Sequence, residues 1–254
     1  MRIASWNVNS IRVRQPHALD WLAAQKPDVL GLQELKMTTE VFPNDEYTQA
    51  GYHSVAYGQK TYNGVALIAR EQPADVIEGI PNFPDEQRRA IAATFGDIRV
   101  VNLYVPNGQS IDSDKYRYKL DWLDALRDYL ADELTRHSRV VVMGDFNIAP
   151  DDRDVYDPDE WRDRILCSGP ERDRLQAIEA LGFKDTFRLF EQPEASYSWW
   201  DYRAAAFRRK RGLRIDLLLA SAALAPHCRA SQIDTEPRKL ERPSDHAPAF
   251  ADFD

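Results

Sequence analysis

Carboxylates and amides follow three strongly apolar segments of this sequence, each at the point where the segment ends: Asn7, Glu34, Asp145 and Asn147. Loops at the ends of buried strands are free to converge while the sheet holds them in place, so ligand sites gather there. Asp and Asn also form turns, but Glu is not a favoured turn residue, which makes Glu34 the most informative of the four. The pattern predicts a polar site at strand ends.

Two further segments add carboxylates and an imidazole. Asp216 lies within the apolar segment Ile215–Ala220, and a buried carboxylate is costly unless it is paired, hydrogen-bonded or metal-bound. Asp245 and His246 are adjacent and precede the last apolar segment of the chain. Taken alone, His246 is typical of a capping or core histidine. Taken with the acids, it is a candidate for catalysis.

Together these side chains form a set of hard oxygen donors with one imidazole and no thiol. Such a set suits magnesium or manganese and suits zinc poorly. The two cysteines, Cys167 and Cys228, form neither a disulfide framework nor a spaced pair of zinc ligands. A divalent metal that bridges phosphate oxygens absorbs the charge that develops during hydrolysis. The residues therefore predict metal-assisted hydrolysis of a phosphate ester, with Mg2+ or Mn2+ as the cofactor.

The net charge of −8 argues against a protein that coats nucleic acid by bulk attraction. The segment from Trp199 to Arg214 reverses this balance, because it has one acidic residue, Asp201, and six basic ones: Arg203, Arg208, Arg209, Lys210, Arg211 and Arg214. A segment with this many basic residues on an acidic protein indicates a face that binds a polyanion. The alternative interpretation is a charged loop that only contacts solvent. Of the two tryptophans Trp199 and Trp200, one is expected to be a core aromatic.

Short apolar runs rich in β-branched residues alternate with helical patterns along the 254 residues. The runs predict buried strands at Ile3–Trp6, Val29–Leu32, Val65–Ala69, Ile91–Phe95, Val100–Val105, Val140–Met143 and Ile215–Ala220. Leucines at spacings of three and four predict the clearest of three helices, which are expected at Tyr116–Leu134, His17–Gln25 and Glu171–Leu181. This alternation favours one α/β domain over residues 1–254, with helices on the outer faces of sheets.

Six short motifs occur in order along the chain: Ser5-Trp6-Asn7-Val8-Asn9, Leu32-Gln33-Glu34, Asn102-Leu103-Tyr104-Val105-Pro106-Asn107-Gly108, Gly144-Asp145-Phe146-Asn147, Gly212-Leu213-Arg214-Ile215-Asp216 and Ser244-Asp245-His246. Each alone is a weak match, but their number and order make the resemblance specific. The chain resembles the exonuclease III type of apurinic/apyrimidinic (AP) endonuclease, within the endonuclease/exonuclease/phosphatase superfamily. The resemblance implies a four-layer α/β sandwich, in which two packed mixed β-sheets are flanked by helices.

The resemblance also implies roles for the polar residues. Glu34 is similar to the principal metal carboxylate, and the other residues expected at the metal are Asn7, Asp145, Asn147, Asp245 and His246. The expected catalytic residues are Tyr104, Asp145, Asn147, Asp216 and His246. Tyr104 resembles the phenol that supports the scissile phosphate or the leaving oxygen, and Asp216 resembles the residue that orients His246. Asp145 and Asn147 resemble the pair that activates and positions the attacking water, while Asp145 and His246 are both candidates for the general base.

The resemblance assigns a third group of residues to substrate binding: Asn9, Lys36, Asn107, Trp199, Arg203, Leu213 and Ile215. Some relatives carry Asp at the position of Asn9, so Asn9 contacts either a second metal or a phosphate. By resemblance, Trp199, Leu213 and Ile215 line a pocket for a flipped-out abasic deoxyribose. Arg203 and the Arg208–Arg211 cluster are expected to hold phosphates.

These features predict a metal-dependent DNA phosphodiester hydrolase of base excision repair. It is expected to cut 5′ to abasic sites and to process 3′ ends as a 3′→5′ exonuclease, 3′-phosphodiesterase or 3′-phosphatase, acting as a monomer on double-stranded DNA. A lipid or inositol-phosphate phosphoesterase is one alternative, which the basic aromatic segment disfavours. A catalytically silent nucleic-acid-binding relative is another, and it would have replaced Glu34, Asp145, Asp216 or His246, which are all intact.

The sequence also predicts where the protein works. No apolar stretch approaches the roughly 18–20 residues that a membrane helix needs. The first residues carry neither an apolar signal segment nor a transit peptide. We therefore expect a cytoplasmic protein that does not bind membranes and that associates with the nucleoid through DNA.

Overall fold

The computed structural model describes residues 1–254 and contains two six-stranded β-sheets. The strands are β1 (Arg2–Asn7), β2 (Val29–Gln33), β3 (His53–Tyr57), β4 (Val65–Ala69), β5 (Ala74–Glu78), β6 (Ala90–Phe95), β7 (Ile98–Tyr104), β8 (Val140–Asp145), β9 (Lys184–Asp185), β10 (Asp216–Ala220), β11 (Cys228–Ile233) and β12 (Ala249–Phe253). The α-helices are α1 (Ile11–Gln25), α2 (Asn44–Gln49), α3 (Asp114–Arg136), α4 (Pro158–Trp161) and α5 (Gly169–Glu179).

Both sheets are mixed. The first has the strand order β11-β12-β1-β2-β4-β3, and the second has the order β5-β6-β7-β8-β10-β9. Each contains one parallel pair, β1 with β2 and β7 with β8, among antiparallel neighbours. All seven strands predicted from the apolar runs are present, with ends that shift by no more than two residues.

Three apolar cores separate four layers. The sheets pack face to face through side chains such as Leu67 of the first sheet and Val141 of the second. Helix α1 covers the outer face of the first sheet through residues such as Trp21. Helices α3 and α5 cover the outer face of the second sheet through residues such as Leu126 and Ile178. The predicted four-layer α/β sandwich is therefore confirmed.

The contact between the sheets is polar where it approaches the predicted site. At Gly31 of β2 the sheets come so close that a Cβ atom would lie 2.6 Å from Met143 Cε. Next to it, Gln33 Nε2 donates to Asn102 Oδ1 at 2.6 Å, and Asn102 Nδ2 donates to the backbone oxygen of Leu32 at 3.0 Å. These buried amides tie the sheets together one residue before Glu34, so they fix the relative position of the two halves of the site.

The helices begin where capping groups are available. Ser113 Oγ accepts from the backbone N of Tyr116 at 3.1 Å at the start of α3. Ser168 and Glu171 form a capping box at the start of α5, which lies two residues earlier than predicted. Helix α1 starts six residues before the predicted position, because Pro16 lies inside the helix and not at its beginning.

Five strands lie outside the seven predicted ones: β12, which is the last apolar segment of the chain, and the four edge strands of the two sheets, β3, β5, β9 and β11. An edge strand is partly exposed, so its apolar pattern is weak; β5, for example, has four exposed residues and one half-buried residue. Pairing with the neighbouring strand therefore defines these elements more than their own sequence does. None of the helices combines the length and the apolarity that crossing a membrane requires.

Candidate active site

The ends of β1, β2, β7 and β8 and the beginning of β10 bring the predicted polar residues together. Within the second sheet, Asp145 is in register with Tyr104 on one side and with Asp216 on the other. Asn7 Nδ2, at the end of β1, donates to Glu34 Oε1 and to Asp145 Oδ2, each at 2.9 Å. Because Glu34 follows the first sheet's β2 and Asp145 ends the second sheet's β8, Asn7 joins the two sheets at the site.

Glu34, Asp145 and His246 form a cluster whose potential ligand atoms all lie within 4.8 Å of one another. Asp145 and His246 are buried, with 1% and 3% of their surface exposed. Two carboxylates and one imidazole would supply part of the coordination shell of Mg2+ or Mn2+ and would leave positions for water and a substrate oxygen. The donor set therefore fits a divalent metal of this kind.

Three other residues are expected at the metal, Asn7, Asn147 and Asp245, and two of them, Asn7 and Asp245, are engaged in the following hydrogen bonds. Asn7 Oδ1 accepts from the backbone N of Asn9 at 2.9 Å. The Asp245 carboxylate accepts from Asn9 Nδ2 at 2.9 Å and from Trp199 Nε1 at 3.0 Å. Both residues lie at the site and hold its neighbours, while direct contact of Asn7, Asn147 and Asp245 with a metal stays a prediction.

His246 and Asp216 form a buried pair. His246 Nδ1 lies 2.8 Å from Asp216 Oδ2, and His246 Nε2 lies 3.7 Å from Asp145 Oδ2. Burial disfavours the imidazolium, but the charges of Asp216 and Asp145 and the hydrogen bond to Asp216 outweigh it and raise the pKa of His246 to about 10. The hydrogen bond to Asp216 thus orients the imidazole at Nδ1, and Nε2 faces Asp145.

Two serines that the sequence analysis did not assign hold the backbone around this pair. Ser198 Oγ accepts from the backbone N of Asp216 and of the preceding residue, both at 3.0 Å. Ser244 Oγ donates to the backbone oxygen of Asn7 at 2.6 Å and accepts from the backbone N of His246 at 3.2 Å. Ser244 could have been identified from the sequence, since it belongs to the motif that contains His246, whereas no sequence motif identified Ser198.

Asn147 and Asn107 fix the Asp145 carboxylate and the loop after β8. The backbone N of Asn147 donates to Asp145 Oδ1 at 2.9 Å, and Asn107 Nδ2 donates to Asn147 Oδ1 at 3.0 Å. Burial raises the pKa of Asp145 to about 7, against the opposing charge of His246. A carboxylate that takes up a proton near neutral pH is suited to general-base catalysis.

The phenol of Tyr104 faces the same carboxylates. Burial raises its pKa well above the ordinary value, and the negative charges of Glu34 and Asp145 add to this shift. The guanidinium of Arg89, which the sequence analysis did not assign, lies 4.7 Å from the centre of the Tyr104 ring. The phenol therefore keeps its proton at neutral pH and can donate it to an oxygen of a bound phosphate.

Asn9 and Lys36 lie beside Glu34. Lys36 Nζ is 3.0 Å from Glu34 Oε2, and it also donates to Asn9 Oδ1. Arg14, which the sequence analysis missed, donates to the backbone oxygen of Asn9 and, at 3.2 Å, to the hydroxyl of Tyr202. Lys36 thus places a positive charge beside Glu34 and Arg14 places a second one beside Asn9, an arrangement that suits an anionic substrate.

Trp199 is the partly exposed member of the expected aromatic pocket. Its ring meets Trp161 edge to face, with ring centres 6.4 Å apart and an interplanar angle of 86°. Leu213 and Ile215 have only 0% and 1% of their surface exposed, and they pack in a small apolar cluster against Trp199. Of the three expected wall residues, Trp199 alone presents side-chain surface, so direct contact of the other two with a substrate would need this cluster to move.

The basic segment needs one correction. Arg214 is 1% exposed, because it forms buried ion pairs with Asp154 at 2.6 Å and Asp185 at 2.7 Å. Its charge therefore belongs to the core and not to the predicted polyanion face. The exposed cations of the segment are Arg203, Arg208, Arg209, Lys210 and Arg211. Trp200, which is 4% exposed and packs edge-on against Phe207, is the core member of the tryptophan pair.

The site lies within the part of the chain that matches a known sequence family. The sequence pattern of the Endonuclease/Exonuclease/phosphatase family matches residues 4–246, which include every residue of the site. The chain belongs to the endonuclease/exonuclease/phosphatase family. Exodeoxyribonuclease III of Haemophilus influenzae, a relative, is 38% identical over 268 residues, which cover 100% of both chains. The DNA repair nuclease APEX1 of Danio rerio is 32% identical, over 98% of this chain and 80% of that relative.

Solved structures extend the comparison within the endonuclease/exonuclease/phosphatase family. A 3′ phosphatase from Neisseria, NExo, bound to a product DNA hairpin, is 49% identical with a TM-score of 0.98 and covers 100% of this chain and 99% of that chain. An AP endonuclease from Archaeoglobus fulgidus is 41% identical with a TM-score of 0.96, over 100% of this chain and 99% of that chain. The family, the fold and the nuclease class of enzyme predicted from the sequence are confirmed.

Proposed function

We propose that this enzyme hydrolyses phosphate esters of double-stranded DNA, cutting 5′ to abasic sites and removing 3′ blocking groups and 3′ nucleotides, with Mg2+ or Mn2+ as its cofactor. The observation that carries this proposal is the cluster of Glu34, Asp145 and His246 at the meeting point of the two sheets. A divalent metal bound there would neutralise the charge on phosphate oxygens and so lower the barrier to attack.

The chain's own groups can move the proton that an attacking water must lose. Asp145 has a pKa raised to about 7, and Asn7 and Asn147 hold its carboxylate in place. Burial disfavours the imidazolium, but the charges of Asp216 and Asp145 raise the pKa of His246 to about 10 in the protein without a metal. Asp145, and His246 as oriented by Asp216, are therefore the two candidates for the general base.

The phosphate has a second set of donors around Tyr104. A groove of about 720 Å³ contains Tyr104 and Asn107 in its wall, together with the cations Arg89 and Lys115. Hydrogen-bond donors and cations in an open groove suit the sugar-phosphate backbone of DNA. The phenol of Tyr104, which keeps its proton, supports the scissile phosphate or the oxygen that leaves.

The residues that select the DNA lesion are expected to lie outside the cluster of Glu34, Asp145 and His246. We propose that Trp199 selects an abasic sugar, while Arg203 and the exposed cations after it bind phosphates on any DNA. Relatives that carry the names exodeoxyribonuclease III, AP endonuclease and 3′ phosphatase support a DNA substrate with 3′ ends or abasic sites. We further propose that the enzyme works as a monomer with one domain over residues 1–254, in the cytoplasm, where its DNA substrate lies.

The proposal is tested with labelled duplexes that contain one abasic analogue, a 3′-phosphate, a plain 3′ recess or no lesion. Inositol polyphosphates and phospholipid vesicles serve as competing substrates, and the His246→Asn variant purified in parallel reports contaminating nucleases. We expect metal-dependent cleavage of the first three duplexes. Turnover of the lipid or inositol substrates alone would identify a phosphoesterase of that class, and DNA binding without any turnover would identify a silent relative.

A further inference from the structure

Lys119 of α3 is a buried charged residue that the site described above does not use. It pairs with Glu171 of α5, and both side chains are 0% exposed. Burial lowers the pKa of Lys119, and the charge of Glu171 opposes this shift. Replacing a buried ion pair with uncharged groups of similar size is often neutral or stabilising. Stability alone therefore gives no reason for an ionic pair at this place.

The hydrogen bonds of Lys119 lead to the site. Lys119 Nζ donates to the backbone oxygen of Asn147 at 2.7 Å and to that of Asn107 at 3.2 Å, as well as to Glu171 Oε1. Its three N–H groups are thus all used. The two carbonyls belong to the loops after β8 and β7, and the side chains of the same two asparagines are joined by a hydrogen bond of 3.0 Å.

Glu171 anchors the other end of this contact. Its carboxylate accepts from the backbone N of Leu166 and of Ser168, both at 3.1 Å, and from Ser168 Oγ at 2.5 Å. The acid is therefore fixed by the capping box of α5, and the lysine is fixed by the rigid helix α3. Together they hold the two asparagine loops against two helices.

We propose that Lys119 is a positioning residue, which holds the loops of Asn107 and Asn147 so that Asn147 presents Asp145 in the geometry that hydrolysis requires. This inference rests on the proposed function, since it takes Asp145 and Asn147 as participants in the reaction. A reacting group displaced by about 1 Å can lose on the order of 10²-fold in rate. Loss of the lysine amine should therefore lower kcat while KM and DNA affinity change little.

The test distinguishes the effect of losing the lysine amine from the effect of losing the ion pair. Glu171→Gln removes the acid's charge but keeps an oxygen that can accept from Ser168, and a lysine without its extra proton still has two N–H donors for the two carbonyls. Lys119→Met combined with Glu171→Gln removes the amine as well. The matched control is Arg99→Met with Glu133→Gln, which removes another ion pair, with a distance of 2.5 Å between its charged atoms. This pair is as buried as the first, since its side chains are 1% and 0% exposed. It lies at the opposite end of β7 and α3 from the site.

The variants are compared on a 3′-phosphate duplex with saturating magnesium, and their melting temperatures are measured in parallel. We expect K119M/E171Q to have at least about tenfold lower kcat than E171Q, with KM and Kd within about threefold. The control R99M/E133Q should keep kcat within about twofold of the wild type. If K119M/E171Q does not fold, K119Q/E171Q replaces it, because a shorter amide cannot reach both carbonyls, and the same loss of kcat is expected.

Two outcomes would overturn the inference. One is equal kcat for E171Q and for the folded variant without the amine. The other is a loss of kcat in R99M/E133Q as large as that in K119M/E171Q, since both would then report general destabilisation. A wild-type protein that cleaves no DNA substrate would instead overturn the proposed function, so the two failures are distinguishable.

Discussion

His246 Nδ1 lies 2.8 Å from Asp216 Oδ2, and both residues are buried. Asp216 begins β10, where it is in register with Asp145 of β8. The second oxygen of Asp216, Oδ1, has no hydrogen-bond partner, so the polar contact of this carboxylate is directed at the imidazole. The two residues are thus arranged to act as a unit.

The first prediction follows from this unit. His246→Asn and Asp216→Asn should each lower kcat by roughly 10²-fold or more while DNA binding persists, because they act on charge stabilisation and proton transfer. The double variant should lose about as much as the worse single variant. Single-turnover cleavage and equilibrium DNA binding measure these effects. Loss of the full product of the two single effects would show that Asp216 and His246 act independently.

His246 should also make the stability of the metal-free protein depend on pH. Its pKa is raised from 6.5 to about 10 in the folded state, so the folded protein binds more protons than the unfolded chain between these values. Its contribution is fully present below pH 6.5 and is lost as pH rises through 10. The pKa of Asp145, raised to about 7, acts in the same direction but at lower pH. Measurements above neutral pH therefore lie outside the range in which Asp145 titrates.

Urea unfolding in EDTA over this alkaline range tests the prediction. The wild type should lose stability with rising pH more steeply than His246→Gln, which cannot titrate. Since all other groups are shared by the two proteins, the difference between their slopes reports His246. Parallel curves would contradict the raised pKa.

The sequence predicted the site better than the fold that carries it. Asn7, Glu34, Asp145 and His246 are far apart in the chain, yet each was identified by its place after an apolar segment or within a motif, and the structure brings them together. The edge strands were missed because pairing defines them. A strand such as β5, whose residues are mostly exposed, has little pattern of its own.

Buried charges were the other feature beyond the reach of the sequence. Lys119 and Glu171 are 52 residues apart, and Arg214 and Asp154 are 60 residues apart. A lysine or arginine in a polar stretch normally indicates the surface, and only its distant partner in the fold makes burial tolerable. The same limit explains why Arg214 was placed on the basic face.

The third prediction concerns the metal. EDTA should abolish cleavage, and added Mg2+ or Mn2+ should restore it. Glu34→Gln should weaken metal binding, which is measured without DNA as the metal-dependent rise in melting temperature. Glu78→Gln, an exposed change on β5, is the matched control and should behave like the wild type. Full activity in EDTA, or an unchanged metal response in Glu34→Gln, would remove Glu34 from the metal site.

The fourth prediction concerns the exposed basic residues. Arg208→Glu with Arg209→Glu should weaken binding of every DNA duplex to a similar degree, because phosphate contacts carry no information on the lesion. The slope of log K against log salt should fall by about 0.9 for each phosphate that the variant no longer neutralises. Arg229→Glu, whose side chain is 61% exposed on the edge strand β11, is the control and should leave the slope unchanged. Weaker binding confined to one substrate would contradict a general phosphate-binding role.

The last prediction concerns Trp199, on which lesion choice depends. An abasic nucleotide has no base to unstack, so an apolar surface that admits a bare sugar can select it. Trp199→Ala should lower cleavage at an abasic analogue much more than release of a 3′-phosphate, with a stacking contact of about 1–3 kcal/mol as the guide.

Trp199 has a second role that the experiment must separate, because its Nε1 donates to Asp245 at 3.0 Å. Trp199→Phe keeps an aromatic surface but removes this hydrogen bond. If the ring selects the lesion, Phe should restore most of the abasic-site cleavage that Ala loses. If the hydrogen bond to Asp245 matters more, Phe and Ala should lower both reactions alike, because Asp245 adjoins the centre that serves every substrate. Equal losses on both substrates would thus assign Trp199 to the support of Asp245 and not to lesion recognition.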